Sequence, residues 1–187
     1  MKKRLIVLIL LFFCFTLSGC KTITIMELHH KDSEIFYKEY NLYNTKLDKF
    51  KVNGILFVPY TIYTEEKGFL SYDLMIDIYK DESDNSNVMI KQVTIKGVKN
   101  VSFKEIKKDI NKAIIFRRSE EKPTLSNYYS SLISPINNYN IKIKKNGSLK
   151  VILNIMIEKN NVITNKKVEY LLEPDELIFY DNYFTRH

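Results

Sequence analysis

His29, His30 and His187 are the chain's whole supply of the side chain that most often moves protons near neutral pH. A nucleophilic triad needs its histidine held rigidly by the fold, and two adjacent histidines plus a last residue do not promise that. His29-His30-Lys31-Asp32 carries metal-ligating residue types. Adjacent histidines aim poorly at one ion without a fold behind them, so a solvated segment is expected there. Asp73 and Asp77 are four residues apart, which puts both carboxylates on one face of a strand, an arrangement suited to glycoside hydrolysis. Alternating polar residues on a wet sheet face account for them without chemistry. The run from Asp81 to Asn87 has the composition of a calcium loop. Ser86, however, stands where such a loop needs glycine, and Gln92 where it needs its bidentate glutamate. No G-x-S-x-G, H-E-x-x-H or phosphate-cradling glycine loop occurs, and the chain has five glycines in all. A non-enzymatic protein without metal or cofactor is expected, with a hydrolase using Asp73 or Asp77 as the alternative.

The remaining reactive side chain is cysteine. Lys2, Lys3 and Arg4 precede a 13-residue run, Leu5 to Leu17, that is apolar but for Thr16. A membrane-spanning helix needs about 20 residues, so the run is too short for a permanent crossing and has the order of a secretory signal. It ends Leu17-Ser18-Gly19-Cys20. This ending resembles the lipobox of bacterial lipoproteins. The resemblance covers residues 1–20 alone. It implies that residues 1–19 are a signal peptide cut off before Cys20, that the Cys20 sulfur carries a diacylglycerol, and that the new amino group is acylated. One acyl chain binds a membrane marginally, whereas two hold stably. Lys21 rather than aspartate follows the cysteine, which among Gram-negative lipoproteins implies the outer membrane over the inner. Cys14 would leave with the signal, so the mature chain keeps no free thiol and no internal disulfide.

Processing also changes the charge. The whole chain is +7, with 29 basic and 22 acidic residues; the signal removes three basic residues and leaves 26 against 22, or +4. Lysine outnumbers arginine 25 to 4, unlike surfaces that read phosphate through arginine forks. An envelope location also removes nucleic acid from the expected partners. Abundant Lys, Ile and Asn beside a single alanine, Ala113, has the look of an AT-rich genome. Lys104, Lys107, Lys108 and Lys112 form a local cluster. On a helix they would face anionic lipid, lipopolysaccharide or plain solvent.

One alanine against 24 Ile, 13 Tyr and 11 Phe favours strands over a helical bundle. Residues 20–50 read as a lipidated tether, with Phe36, Tyr40 and Tyr43 at helical spacing. From Asn53 the period becomes two. Leu56, Val58, Tyr60 and Ile62 share one face, with Pro59 marking an edge strand or bulge. Leu70, Tyr72, Leu74, Ile76 and Ile78 share a face after a turn at 65–68. Residues 81–87 read as a loop and 88–96 as a strand. Two short helices are expected. One starts at the capping-box pair Ser102 and Glu105, with Phe103, Ile106 and Ile110 on one face. The other runs from Leu125 to Ile136, with Pro123 just before it and Pro135 near its end. Asn146-Gly147 is expected to turn a hairpin into a strand burying Val151, Leu153, Ile155 and Ile157. Asn160-Asn161 is expected to turn again, and Glu173-Pro174-Asp175-Glu176 to form a type I turn. Strands at roughly 8–12-residue spacing predict a mainly β domain over 51–187 with one or two short helices: an antiparallel β-sandwich, immunoglobulin-like as the first expectation.

Residues 117–138 interrupt the strand rhythm longest, and long insertions tend to be functional. Arg117, Arg118, Tyr128 and Tyr129 within it are residue types enriched at binding hot spots, and are the candidate partner-binding residues. The alternative is that Leu125, Tyr128, Leu132 and Ile136 cap the core. The expected function is a membrane-anchored envelope lipoprotein that binds or scaffolds another envelope protein through its β domain. A lipid-anchored hydrolase and a small inhibitor or immunity lipoprotein are the alternatives.

Overall fold

β-Branched and aromatic residues at period two make strands when one face is buried, and most of the chain obeys that rule. The computed structural model describes residues 20–39, 41–66, 69–118, 128–139 and 143–182. The signal at 1–19 and His187 lie outside the described residues. The described strands are β1 (Cys20–His29), β2 (Lys51–Val52), β3 (Ile55–Glu66), β4 (Phe69–Asp81), β5 (Asn87–Val101), β6 (Glu105–Ala113), β7 (Arg117–Arg118), β8 (Tyr128–Tyr139), β9 (Ile143–Lys159) and β10 (Val162–Asn182). They form one ten-stranded order, β6-β5-β9-β10-β1-β3-β4-β8-β7, with β2 beside β3. Each pairing whose register is described is antiparallel. The protein is therefore mainly antiparallel β.

The chain divides into two compact units, Glu27–Asp175 and a smaller one of residues 1–26 with 176–187. In the larger unit β3 and β4 pair from Leu56↔Tyr79 to Glu66↔Phe69. Leu74, Ile76 and Ile78 are fully buried, while Asp73, Met75 and Asp77 between them are partly exposed, as the alternation predicts. Pro59 does not mark an edge. It pairs with Ile76 of β4 on one side, and on the other it falls between Ile55–Leu56, where β2 pairs, and Thr61, where β1 pairs. Two Asn-containing turns close hairpins with positive φ: Asn53-Gly54 (50° and 83°) between β2 and β3, and Asn160-Asn161 (51° and 63°) between β9 and β10.

Several expectations are corrected. Residues 102–113 are not a helix: β6 pairs with β5, Ile106 opposite Ile95. Residues four apart share a face in a strand as in a helix, so Ile106 and Ile110 did not discriminate. Lys107 stands opposite Thr94 and Lys108 opposite Val93, which sends these two lysines to opposite faces of the strand. Residues 128–136 belong to β8 rather than a helix. Against β4, Ile76↔Ile133 is followed by Leu74↔Ile136 and Tyr72↔Tyr139. Two bulges thus make same-face residues recur every three positions, imitating a helix. Asn146-Gly147 lies inside β9, which runs on to pair with both β5 and β10. Glu173-Pro174-Asp175-Glu176 lies inside β10.

Residues 27–50 are packed rather than a solvated tether. Leu28, Phe36, Leu42, Leu47 and Phe50 are at most 4% exposed. They sit in turn on β1, on helix α1 (Ser33–Glu39), in the following turn and on a 3-10 helix (Thr45–Phe50), so no single period links them. Caps fix these short pieces: the Ser33 hydroxyl donates to the His30 carbonyl at 2.7 Å, and Asn44 Oδ1 accepts from the Lys46 N–H at 3.0 Å.

His30 is part of this packing. Its Nδ1 accepts from the Asp32 N–H at 3.2 Å and its ring meets Phe50 edge-on at 4.6 Å. Burial, and then the Lys49 charge, hold its pKa below the usual 6.5. The unfolded chain therefore takes up this proton at a higher pH than the folded chain. His30's contribution is complete above 6.5 and is lost as pH falls through that value toward the folded pKa. Urea midpoints are expected to fall more between about pH 7.5 and 5 for the wild type than for His30→Asn, which keeps an acceptor for the Asp32 N–H. Parallel curves would show that His30 does not set this slope.

Candidate functional site

A cavity of about 1,260 Å3 opens beside β8 in the larger unit. One wall is Tyr60, Asp77 and Tyr79 on β3 and β4; the second is residues 112–115, where β6 ends and runs toward β7; Arg117, Arg118 and residues 130–133 complete it. Topology explains the convergence. β6 and β7 stand at opposite ends of the strand order yet are three residues apart in the chain. The short connection, fixed by the Ile114 N–H donating to the Val88 carbonyl at 2.8 Å, therefore lies over the β8 edge.

The expected binding residues separate here. Arg117 and Arg118, opposite Ser130 and Tyr129 on β8, both line the cavity. Tyr128 does not; it is 8% exposed, and its hydroxyl oxygen accepts from the Leu42 N–H at 3.5 Å. Tyr129 is half-buried on the same strand. Lys112 reaches the cavity from the end of β6. Ile115 and Leu132 line it while 74% and 55% exposed. Sequence reasoning missed both as site residues, because neither belongs to a buried stripe and their meeting depends on the β6–β7 connection.

Asp77 is the acidic side chain of the lining. The Tyr37 hydroxyl donates to its Oδ2 at 2.6 Å. Burial, then Asp77 itself, pushes the Tyr37 phenol far above its usual range; burial and Asp77 also raise Tyr60. Both phenols therefore act as hydrogen donors, not as bases. Behind Tyr60 the His29 ring stacks at 5.7 Å, and His29 Nε2 lies 2.9 Å from Glu27 Oε2. His29 and His30 thus turn to different neighbours, Tyr60 and Phe50.

The loop after β4 is built around a lysine. Lys80, 7% exposed, donates to the Ser86 carbonyl at 2.8 Å and lies 4.7 Å from the Phe116 ring centroid. Burial lowers its pKa. The loop carboxylates have partners of their own: Asp81 accepts from the Ser83 N–H and hydroxyl and from Tyr43, and Asp84 from the Ser86 N–H and Lys159. Burial raises the Asp84 pKa, but these bonds outweigh it and hold the carboxyl low. Among the described residues no three His, Cys, Asp or Glu side chains converge as metal ligands.

A second hollow, about 470 Å3, lies on the face of β5, β6, β9 and β10. There Gln92 donates to Asp109 at 2.5 Å and accepts from Asn154 at 3.1 Å. These side chains satisfy one another across three strands, the behaviour of a polar surface ladder.

No protein-family model, curated protein or solved structure matches the chain.

Proposed function

We propose that the protein is a bacterial envelope lipoprotein, held on a membrane by lipid on Cys20, that binds another envelope component without catalysing a reaction. The observation that carries this reading is Leu17-Ser18-Gly19-Cys20 directly after a basic segment and a 13-residue apolar run. Among the described residues no helix is long and apolar enough to cross a membrane. Lys21 after the cysteine favours the outer membrane in a Gram-negative host. The binding component is assigned to the cavity beside β8, where Arg117 and Arg118 meet exposed aliphatic side chains. Asp77 is given a structural part, as the acceptor that ties Tyr37, and so α1, to β4.

Lipidation is tested directly. Cells grown with radiolabelled palmitate are expected to label the wild-type chain and not Cys20→Ala, and the intact mass of the mature protein should start at a diacylglyceryl-modified Cys20. A labelled Cys20→Ala chain, or an unmodified cysteine in the mature protein, would overturn the reading.

A further inference from the structure

We propose that the cavity beside β8 seats one anionic phospholipid, its phosphate against Lys112 and Arg117 and its acyl chains along Ile115, Leu132 and Ile133. The inference deepens the envelope-lipoprotein reading and rests on it for one point, that lipid is at hand. Charge carries the headgroup end. Lys112 and Arg117 both line the cavity, and neither has an ion-pair partner among the described residues. Arg118 is engaged by Glu82 at 3.4 Å, and Asp77 stands on another strand, accepting from Tyr37. An arginine fork and a lysine in one lining suit a phosphate, which one can grip with paired bonds and the other with a point charge. Ser130 and Ser131 add hydroxyls to the lining.

Shape and polarity carry the other end. Pockets for small molecules are commonly about 300–1,000 Å3, and this one is larger, about 1,260 Å3. Ile115 and Leu132 line it and leave most of their surface uncovered. Two exposed aliphatic side chains beside two cations make an amphipathic lining, and apolar surface of this kind is where a ligand gains affinity. Free phosphate would leave that surface wet. An added peptide strand fits less well, because β7 already occupies the β8 edge at Tyr129 and Ser130.

The test is native mass spectrometry of the full chain in neutral detergent, with dioleoyl phosphatidylglycerol, dioleoyl phosphatidylcholine, inorganic phosphate or an acidic peptide added separately. The expected result is a single phosphatidylglycerol adduct per chain, with phosphatidylcholine at least about tenfold weaker. Lys112→Gln and Arg117→Gln should each weaken the phosphatidylglycerol adduct by about tenfold. Leu132→Ser should weaken both lipids alike. Lys166→Gln, which lines the other hollow, should change nothing, and urea midpoints of these surface variants should stay put. Equal binding of the two lipids, a phosphate adduct as strong as the lipid adduct, an acidic-peptide adduct in place of lipid, or indifference to Lys112→Gln and Arg117→Gln would each overturn the proposal. Added lipid is scored apart from lipid attached to Cys20, so failure here and failure of the palmitate test are separate results.

Discussion

Phe36→Ala is expected to destabilise the protein by about 3–5 kcal/mol, the range for emptying a buried aromatic site. Phe36 is fully buried, its ring 4.5 Å from that of Tyr79 on β4. It is the main anchor of α1, a seven-residue helix far below the ~12–15 residues at which isolated helices become even marginal. Its packing therefore decides whether α1 exists. Loss of the ring should release Tyr37 too, whose hydroxyl holds Asp77 at the cavity wall. Since whole domains are stable by only about 5–15 kcal/mol, urea unfolding should show a much lower midpoint with little change in slope. A solvated tether predicts the opposite, a change within about 0.5 kcal/mol. A shift that small would return residues 27–50 to the status of linker.

That experiment bears on the part of the chain where the sequence was least informative. Reading period two works where one strand keeps one face buried for many residues. Leu74, Ile76 and Ile78 on β4, and Val151, Leu153, Ile155 and Ile157 on β9, were legible for that reason. It fails where the chain changes conformation every few residues, as between Leu28 and Phe50, and where bulges shift the parity. Ile133 and Ile136 look helical because β8 accommodates an extra residue between their partners Ile76 and Leu74. Turn signals fail for a related reason. Asn-Gly occurs twice, and only Asn53-Gly54 turns the chain; Asn146-Gly147 stays within β9, where β5 pairs on either side of it, at Ser148 and Ile143, across a register shift, and tertiary pairing overrides the local preference. The candidate site was half legible. Arg117 and Arg118 follow from residue type. Lys112 stands out in the sequence only as one of four nearby lysines, and it reaches the cavity because β6 is a strand ending there. Ile115 and Leu132 needed the three-dimensional meeting of β6's end with β8.

Gly97→Ala is expected to cost about 1–3 kcal/mol, the range for adding a carbon to a filled site. Gly97 closes the turn from β5 into β6: its N–H donates to the Lys104 carbonyl at 3.1 Å. A Cβ built there would collide with the Phe103 carbonyl oxygen and stand 3.2 Å from Val101 Cβ. The first of these is backbone and cannot rotate away as a flexible side chain would. Relief must come from moving residues 103–104, which set the start of β6 and the Lys96↔Glu105 register. The variant should therefore unfold at lower urea, and amides of β6 should exchange with solvent faster than those of β9. The two structural readings of residues 102–113 differ in sign here. Were the segment a helix leaving the sheet, Gly97 would be an open strand end, and alanine would be neutral or mildly stabilising through its lower unfolded-state entropy. An unchanged midpoint with unchanged β6 exchange would contradict the β5–β6 pairing. It would also remove the β6 end, with Lys112, from the wall of the cavity.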